Sequence, residues 1–282
     1  MNGSHDIAFQ EVGNGVPVLI LHGWTMAGFV EAHDFEPVFS TLSEYRRLYL
    51  DLPGMGASSL GDSKDLDSML DRVSSFVEEH ILPSSFLLIG TSCGAYLARA
   101  LAYRYANAVE GLLLRIPLIE PVSSKRDIDP FVPAISNEAV ISALSQADHE
   151  RLGDVPVHTA EYVETARRRL DATVFPAIAA SDAAGLDAIR NDRNRYKLKA
   201  AMHTPEEPFT KPTLIVTGRH DTDVGYRDAW SIVPCYARAS FMVLDRGNHD
   251  LPVDEAETKL FVALVQDWLW RVKESRQAAL QT

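Results

Sequence analysis

The sequence predicts an α/β fold: a mostly parallel central sheet flanked by helices, with a helical cap inserted between two late strands. Three observations predict it. Short apolar runs alternate along the chain with stretches of helical periodicity. Several of those runs are apolar nearly throughout rather than at every second residue, the pattern of strands covered on both faces of a parallel sheet. The alternation stops between about residues 121 and 210, where no convincing strand occurs and helix-like segments follow one another.

Taken in order, residues 7–12 read as a single strand where a longer hairpin could stand. Val16–Leu21, Tyr45–Leu50 and residues 86–89, 112–116, 213–217 and 241–244 follow as strands. Residues 65–80 form an amphipathic helical pattern with Leu66, Leu70, Val73 and Val77 on one face. The chain closes with a helix from Glu255 to about Lys273, whose apolar stripe is Leu260, Phe261, Leu264, Val265 and Trp268. Asp254 followed three residues later by Glu257 is a start signal of capping-box type. The same periodicity assigns Trp268 to the core and Trp270 to the rim. In the strand-free stretch, residues 138–149, 160–170 and 184–202 read as helices. Residues 121–210 are therefore expected to cap a core made of residues 1–120 and 211–282.

Composition narrows the partners. The 282 residues are 46% apolar, enough for a large core, and the length allows one large domain or two modest ones. A net charge of −12 argues against nucleic acid and against an anionic membrane surface. No apolar run approaches the roughly 18 residues of a membrane span, and residues 1–6 lack the basic region and apolar core of a signal peptide. Of the two cysteines, Cys93 and Cys235, one lies inside a tight glycine-bounded turn, so a reducing, cytoplasmic location without a structural disulfide is expected. The oligomeric state is left open, a homodimer included.

That turn is Gly90-Thr91-Ser92-Cys93-Gly94. It follows the apolar Phe86-Leu87-Leu88-Ile89 and precedes a helix-favouring stretch beginning Ala95-Tyr96-Leu97. Strand, sharp turn and helix with a serine at the tip is the context of a nucleophile elbow. Glycines on either side are needed where strand and helix cross closely beside the serine. A serine hydroxyl needs a base to take its proton and an acid to orient the base. Sheet enzymes of this kind place both on loops after later strands, in the order serine, acid, histidine. Gly218-Arg219-His220-Asp221 follows one such strand, and Asp245-Arg246-Gly247-Asn248-His249-Asp250 follows the next. Both lie past strand C-termini, where parallel sheets bind their ligands. An acyl-transfer oxyanion needs aimed donors. The backbone N–H of Cys93 is one candidate, and that of Trp24, in the His22-Gly23-Trp24 loop after an early strand, is the second. The Trp24 indole is expected to wall the pocket and His22 to brace its loop.

Other signals read as structure. Gly54-Met55-Gly56 follows a strand but lacks a third glycine at Ser59, so it is a tight loop rather than a dinucleotide site. No phosphate-cradling loop ends in Gly-Lys, and the nine histidines are scattered without metal-ligand spacing. No cofactor or metal is expected. Arg167-Arg168-Arg169, in a helical pattern with Glu161 and Glu164, reads as a solvated face with i,i+4 pairing.

Together, His22-Gly23-Trp24, Asp51-Leu52-Pro53-Gly54-Met55-Gly56-Ala57-Ser58, Gly90-Thr91-Ser92-Cys93-Gly94, Gly218-Arg219-His220-Asp221 and Gly247-Asn248-His249 resemble the α/β-hydrolase superfamily. The likeness is to its capped branch of esterases, lactonases, carbon–carbon bond hydrolases and haloperoxidase-like members. It covers about residues 7–274 in the family's motif order, and only the insertion carries no matching motif. The resemblance implies Ser92 as nucleophile, His249 as base, Asp221 as acid, and Trp24 and Cys93 as the oxyanion hole. The family's Gly-x-x-Asp pattern favours Asp221 over its rival Asp223. Two departures are the Ala95 that replaces a frequent second glycine and the Cys93 at a position where Met, Gln or Tyr is usual; the Cys93 side chain is expected in the pocket lining with Trp24. A serine nucleophile argues against haloalkane dehalogenases and epoxide hydrolases.

The expected function is hydrolysis of a small or medium substrate in an enclosed, mostly apolar pocket. An ester or lactone stands first and cleavage of a carbon–carbon bond beside a carbonyl second, since one triad serves both. A ligand-binding module with an intact triad, and acyl transfer to an acceptor other than water, are the rivals from other classes.

Overall fold

Strands form on short runs, most of them rich in Leu, Ile and Val. In the computed structural model, which describes residues 7–279 and 281, these are β1 (Phe9–Val12), β2 (Val16–Leu21), β3 (Tyr45–Leu50), β4 (Phe86–Thr91), β5 (Val109–Arg115), β6 (Thr213–Gly218) and β7 (Ala239–Leu244). Residues 1–6, read above for a leader, lie outside the described residues. The seven strands make one sheet in the order β1-β3-β2-β4-β5-β6-β7. Only β1 is antiparallel, paired to β3 from Phe9 opposite Leu50 to Val12 opposite Arg47. Every residue of β4 and β6 is buried, as near-continuous apolar runs require.

After β2 the chain moves outward to β3, then returns to place β4 on the other side of β2. Neighbouring strands that leave in opposite directions open a crevice at their C-terminal ends. The loop after β2 and the turn after β4 both lie there.

Helices α1 (Gly28–Phe39), α2 (Leu66–His80) and α3 (Cys93–Arg104) alternate with the early strands. Asp65 caps α2 by accepting the Ser68 amide at 2.8 Å, and the Ser68 hydroxyl answers back. Helix α1 is absent from the sequence-based assignment because its inward face carries Glu31 and Asp34, which hide the apolar period.

The stretch between β5 and β6 holds no strand of the sheet. It carries α4 (Glu138–Ser142), α5 (Gln146–Leu152), α6 (Ala160–Arg169), a π turn (Leu170–Val174), α7 (Phe175–Ala179) and α8 (Ala183–Arg190). Leu152, Val155, Val157, Tyr162, Val163 and Leu170 form a small apolar cluster of their own, joined by Val253. The helix expected over residues 138–149 is interrupted before Ser145, which caps α5 in a reciprocal box with Asp148. The helix expected over 184–202 stops at Arg190. Beyond it the backbone docks on the core: Arg195 accepts the Leu66 amide, and the Lys199 and Ala200 amides donate to Asp67. Those bonds replace helical ones.

Two helices follow, α9 (Tyr226–Ser231) and α10 (Glu255–Ala279). Asp254 accepts the Glu257 amide at 2.9 Å, while Glu257 reaches back to Val253, one residue earlier than a standard box. Phe261, Val265 and Trp268 are buried as expected, but Leu260 is exposed. Among the described residues no single helix is long and apolar enough to cross a membrane.

Candidate active site

The turn after β4 is held by close backbone crossing. A Cβ on Gly94 would lie 2.3 Å from the Leu21 carbonyl oxygen, and one on Gly90 would lie 2.6 Å from Ala95 Cα. Only glycine fits at either place. The crossing forces Ser92 to φ 52°, ψ −116°, a strained conformation for a residue with a side chain. The other non-glycine residues with positive φ among those described, Thr25 and Ile116, line the same cavity as Ser92. Strain thus concentrates at one place, at roughly 1–3 kcal/mol per residue.

The Ser92 hydroxyl lies 3.1 Å from His249 Nε2, and His249 Nδ1 lies 2.9 Å from Asp221 Oδ2. The second carboxylate oxygen of Asp221 accepts the amides of Asp223 and Val224 at 2.8 and 3.0 Å. Asp221 is buried; burial alone would raise its carboxyl, but His249 and those two amides hold it below the usual range. For His249, burial alone would lower the ring; the charge and hydrogen bond of Asp221, with Asp223 and Asp250 behind, raise it to about 9. The structure therefore brings Ser92, Asp221 and His249 into one hydrogen-bonded line. Asp223 stands beside that line and lines the cavity.

His22 is fully buried. Its Nε2 accepts the Leu52 amide at 2.9 Å and its Nδ1 lies 2.7 Å from the Gly23 carbonyl. Burial lowers the ring to about 4, so it stays neutral and braces the loop. That loop closes on the serine: a Cβ on Gly23 would approach Ser92 Cβ to 3.3 Å. Trp24 lines the cavity beside Ser92. Cys93 begins α3, whose first amides have no intrahelical partner and sit at the positive end of the helix. Its side chain, however, is 1% exposed, hydrogen-bonds Tyr196 and is absent from the cavity wall. Burial pushes the thiol up to about 11, which leaves it inert as a nucleophile.

The cavity, about 330 Å³, is partly apolar, with Trp24, Met26, Val30, Ile116, Leu118 and Val174 in its wall. It carries far more charge than the mostly apolar pocket expected from sequence: Glu31, Arg115, Arg126, Arg169, Arg190, Asp223 and Asp250 also line it. Some of this charge is neutralised internally. Arg115 bonds Glu31 at 2.7 Å and Asp34 at 2.5 Å, and Arg169 bonds both oxygens of Asp34. Arg169 thereby corrects the sequence reading of its triplet: Arg167 pairs with Glu164 and Asp148 near the surface, but Arg169 turns inward and is 8% exposed. A detectable sign was Arg115 itself, a lone charge closing the apolar run Leu112-Leu113-Leu114.

A model of the alpha/beta hydrolase family matches residues 18–264. The pimeloyl-[acyl-carrier protein] methyl ester esterase of Shewanella woodyi is 37% identical over 110 residues, which is 39% of this chain and 39% of that protein. The protein of the same name from Aeromonas hydrophila is 27% identical over 252 residues, covering 86% of this chain and 92% of its own length. Among solved structures, an alpha/beta superfamily hydrolase from Oenococcus oeni superposes with a TM-score of 0.77 at 24% identity, over 94% of this chain and 97% of its own. The thermophilic esterase from Thermogutta terrifontis gives a TM-score of 0.63 at 21% identity, over 94% and 93% of the two chains.

Proposed function

The chain belongs to the alpha/beta hydrolase family, and we propose that it is a serine esterase that cleaves a small or medium ester or lactone through an acyl-enzyme. The observation that carries this reading is the unbroken line from Ser92 Oγ through His249 to Asp221, at 3.1 and 2.9 Å. The esterase names of its relatives support the same class of reaction.

Ser92 Oγ attacks the ester carbonyl carbon while His249 Nε2 accepts the hydroxyl proton. Asp221, ionised and buried, holds the Nδ1–H and stabilises the imidazolium that forms. The amides of Trp24 and Cys93 receive the oxyanion. As the tetrahedral adduct collapses, the carbon–oxygen bond to the leaving alcohol breaks and His249 returns the proton to it. Water then repeats the sequence on the acyl-Ser92 ester, releasing the acid and restoring the hydroxyl. The cavity suits one small ligand rather than a polymer strand.

The test is intact-mass analysis after treatment with a fluorophosphonate, on the natural chain and on Ser92→Ala, alongside turnover of an ester and lactone panel. We expect a single adduct that is lost in Ser92→Ala, and a fall in turnover of at least about 10³-fold in that variant. Full turnover by Ser92→Ala, or no adduct and no turnover by the folded natural chain, would overturn the reading.

A further inference from the structure

The cavity beside Ser92 has two charged poles of different character. At one, Arg115 and Arg169 are matched by the carboxylates of Glu31 and Asp34. At the other, Arg126 and Arg190 make no ion pair with any described residue.

Arg126 donates to the carbonyls of Glu120 at 2.9 Å, Asp223 at 2.7 Å and Pro121 at 3.4 Å. Arg190 donates to the same Pro121 carbonyl at 3.4 Å and to the Ser123 hydroxyl at 3.5 Å. All these acceptors are neutral. The shared carbonyl brings two guanidinium groups side by side, both half-buried and both in the cavity wall. A guanidinium has five N–H donors, so each keeps donors unused by these bonds. Burial and then the neighbouring charge of Arg190 lower Arg126, the mark of two cations that oppose each other.

The pole is also anchored to the reacting groups. Arg190 stacks 4.2 Å over the Tyr196 ring, and Tyr196 meets Trp24 edge-on at 5.0 Å. Arg126 holds the Asp223 carbonyl, two residues beyond Asp221. The Asp223 and Asp221 carboxylates act on Arg126 from a distance and offset part of the positive charge without pairing with it. A partly offset pair of guanidiniums suits a monoanion such as a carboxylate, held in bidentate fashion, better than a phosphate dianion.

We propose that Arg126 and Arg190 form an anion subsite for a carboxylate of the substrate, so that the preferred ester carries a second, ionised carboxyl group within reach of Ser92. This rests on the esterase reading above. Placing the anion between two guanidiniums removes their repulsion and fixes the ester carbonyl relative to Ser92 from its far end, since charge-assisted hydrogen bonds to Arg are strong and directional.

The test compares two activated esters of equal acyl length, the p-nitrophenyl monoester of glutaric acid and p-nitrophenyl pentanoate. The readout is the ratio of their kcat/KM values in the natural chain, Arg126→Gln, Arg190→Gln and Arg190→Lys. We expect the ratio to favour the acidic ester in the natural chain, to fall about 10- to 100-fold in each Gln variant, and to be partly restored by Arg190→Lys. A ratio that stays the same in both Gln variants would overturn the proposal. Calorimetric binding of free glutarate to Ser92→Ala, with and without Arg190→Gln, reads the subsite apart from turnover. If no ester is cleaved but glutarate binds and is lost with Arg190→Gln, the esterase reading fails and the subsite stands. If glutarate does not bind, or inorganic phosphate binds more tightly, the carboxylate assignment fails whatever the activity.

Discussion

Gly94 and His249 carry the sharpest consequences at the scale of single residues. A methyl group on Gly94 would press within 2.4 Å of the carbonyl oxygens of both Leu21 and His22, backbone that cannot rotate away. Gly94→Ala should lower stability by roughly 3 kcal/mol, the upper range of overpacking costs, read as a shift of the urea midpoint. An unchanged midpoint would show the crossing to be looser than described. Under the proposed mechanism His249 must be neutral to accept the Ser92 proton. Since its pKa is raised to about 9, the neutral fraction falls tenfold with each unit of pH below that. kcat/KM should therefore climb with unit slope through neutral pH and level off near 9. The same shift means that the ion pair's contribution to folding is full below about 6.5 and is lost as pH rises through about 9. Asp221→Asn removes the charge that raises the ring, so the midpoint should move to lower pH while kcat falls by about 10⁴-fold. A plateau already reached at pH 7 in the natural chain would contradict this. At this scale the sequence was most readable. Ser92, Asp221 and His249 each follow a recognisable strand, and the chemistry tolerates few alternatives at strand ends.

Helices show where periodicity succeeds and where it fails. In α10 it assigns the two tryptophans correctly: Trp268 is fully buried and Trp270 is 60% exposed. Trp268 also donates its indole N–H to the Pro212 carbonyl at 3.1 Å and packs beside Gly111 of β5, which has no side chain to exclude it. Trp268→Ala should cost about 3–5 kcal/mol, whereas Trp270→Ala should stay within about 0.5 kcal/mol of the natural chain. Thermal unfolding of the two variants checks the contrast, and equal losses would refute it. Where tertiary contacts override local pattern, periodicity misleads. Helix α1 carries no readable apolar period, because Glu31 and Asp34 occupy buried positions that usually hold Leu or Val. The stretch after α8 is rich in helix-forming residues, yet its amides find better partners on α2.

Over the whole molecule, one buried cluster joins layers distant in sequence. Asp34 on α1 receives Arg115 from β5 and Arg169 from α6, across separations of 81 and 135 residues. The carboxyl of Asp34 would be raised by burial, but the two arginines drive it far below the usual range. Replacing one member of such a cluster leaves an unmatched buried charge. Arg169→Met should therefore destabilise the chain by about 3–5 kcal/mol and speed proteolysis within residues 121–210, since α6 loses its tie to α1. Cleavage confined to other segments, with an unchanged unfolding midpoint, would contradict that role.

The sequence by itself determined the class of fold, the order of the strands along the chain and the three residues, Ser92, Asp221 and His249, that the fold brings into one hydrogen-bonded line. Those features rest on local chemistry: continuous apolar runs make buried strands, and a serine between glycines after a strand makes a sharp turn. Only the tertiary structure decided which charges face inward. Arg169 and Arg168 are adjacent in the chain, yet one is buried against Asp34 and the other is solvent-exposed. The character of the cavity, and with it the arginine pair in its wall, was likewise decided there. Burial of a charge depends on partners from distant segments, and no local pattern records which partners will meet.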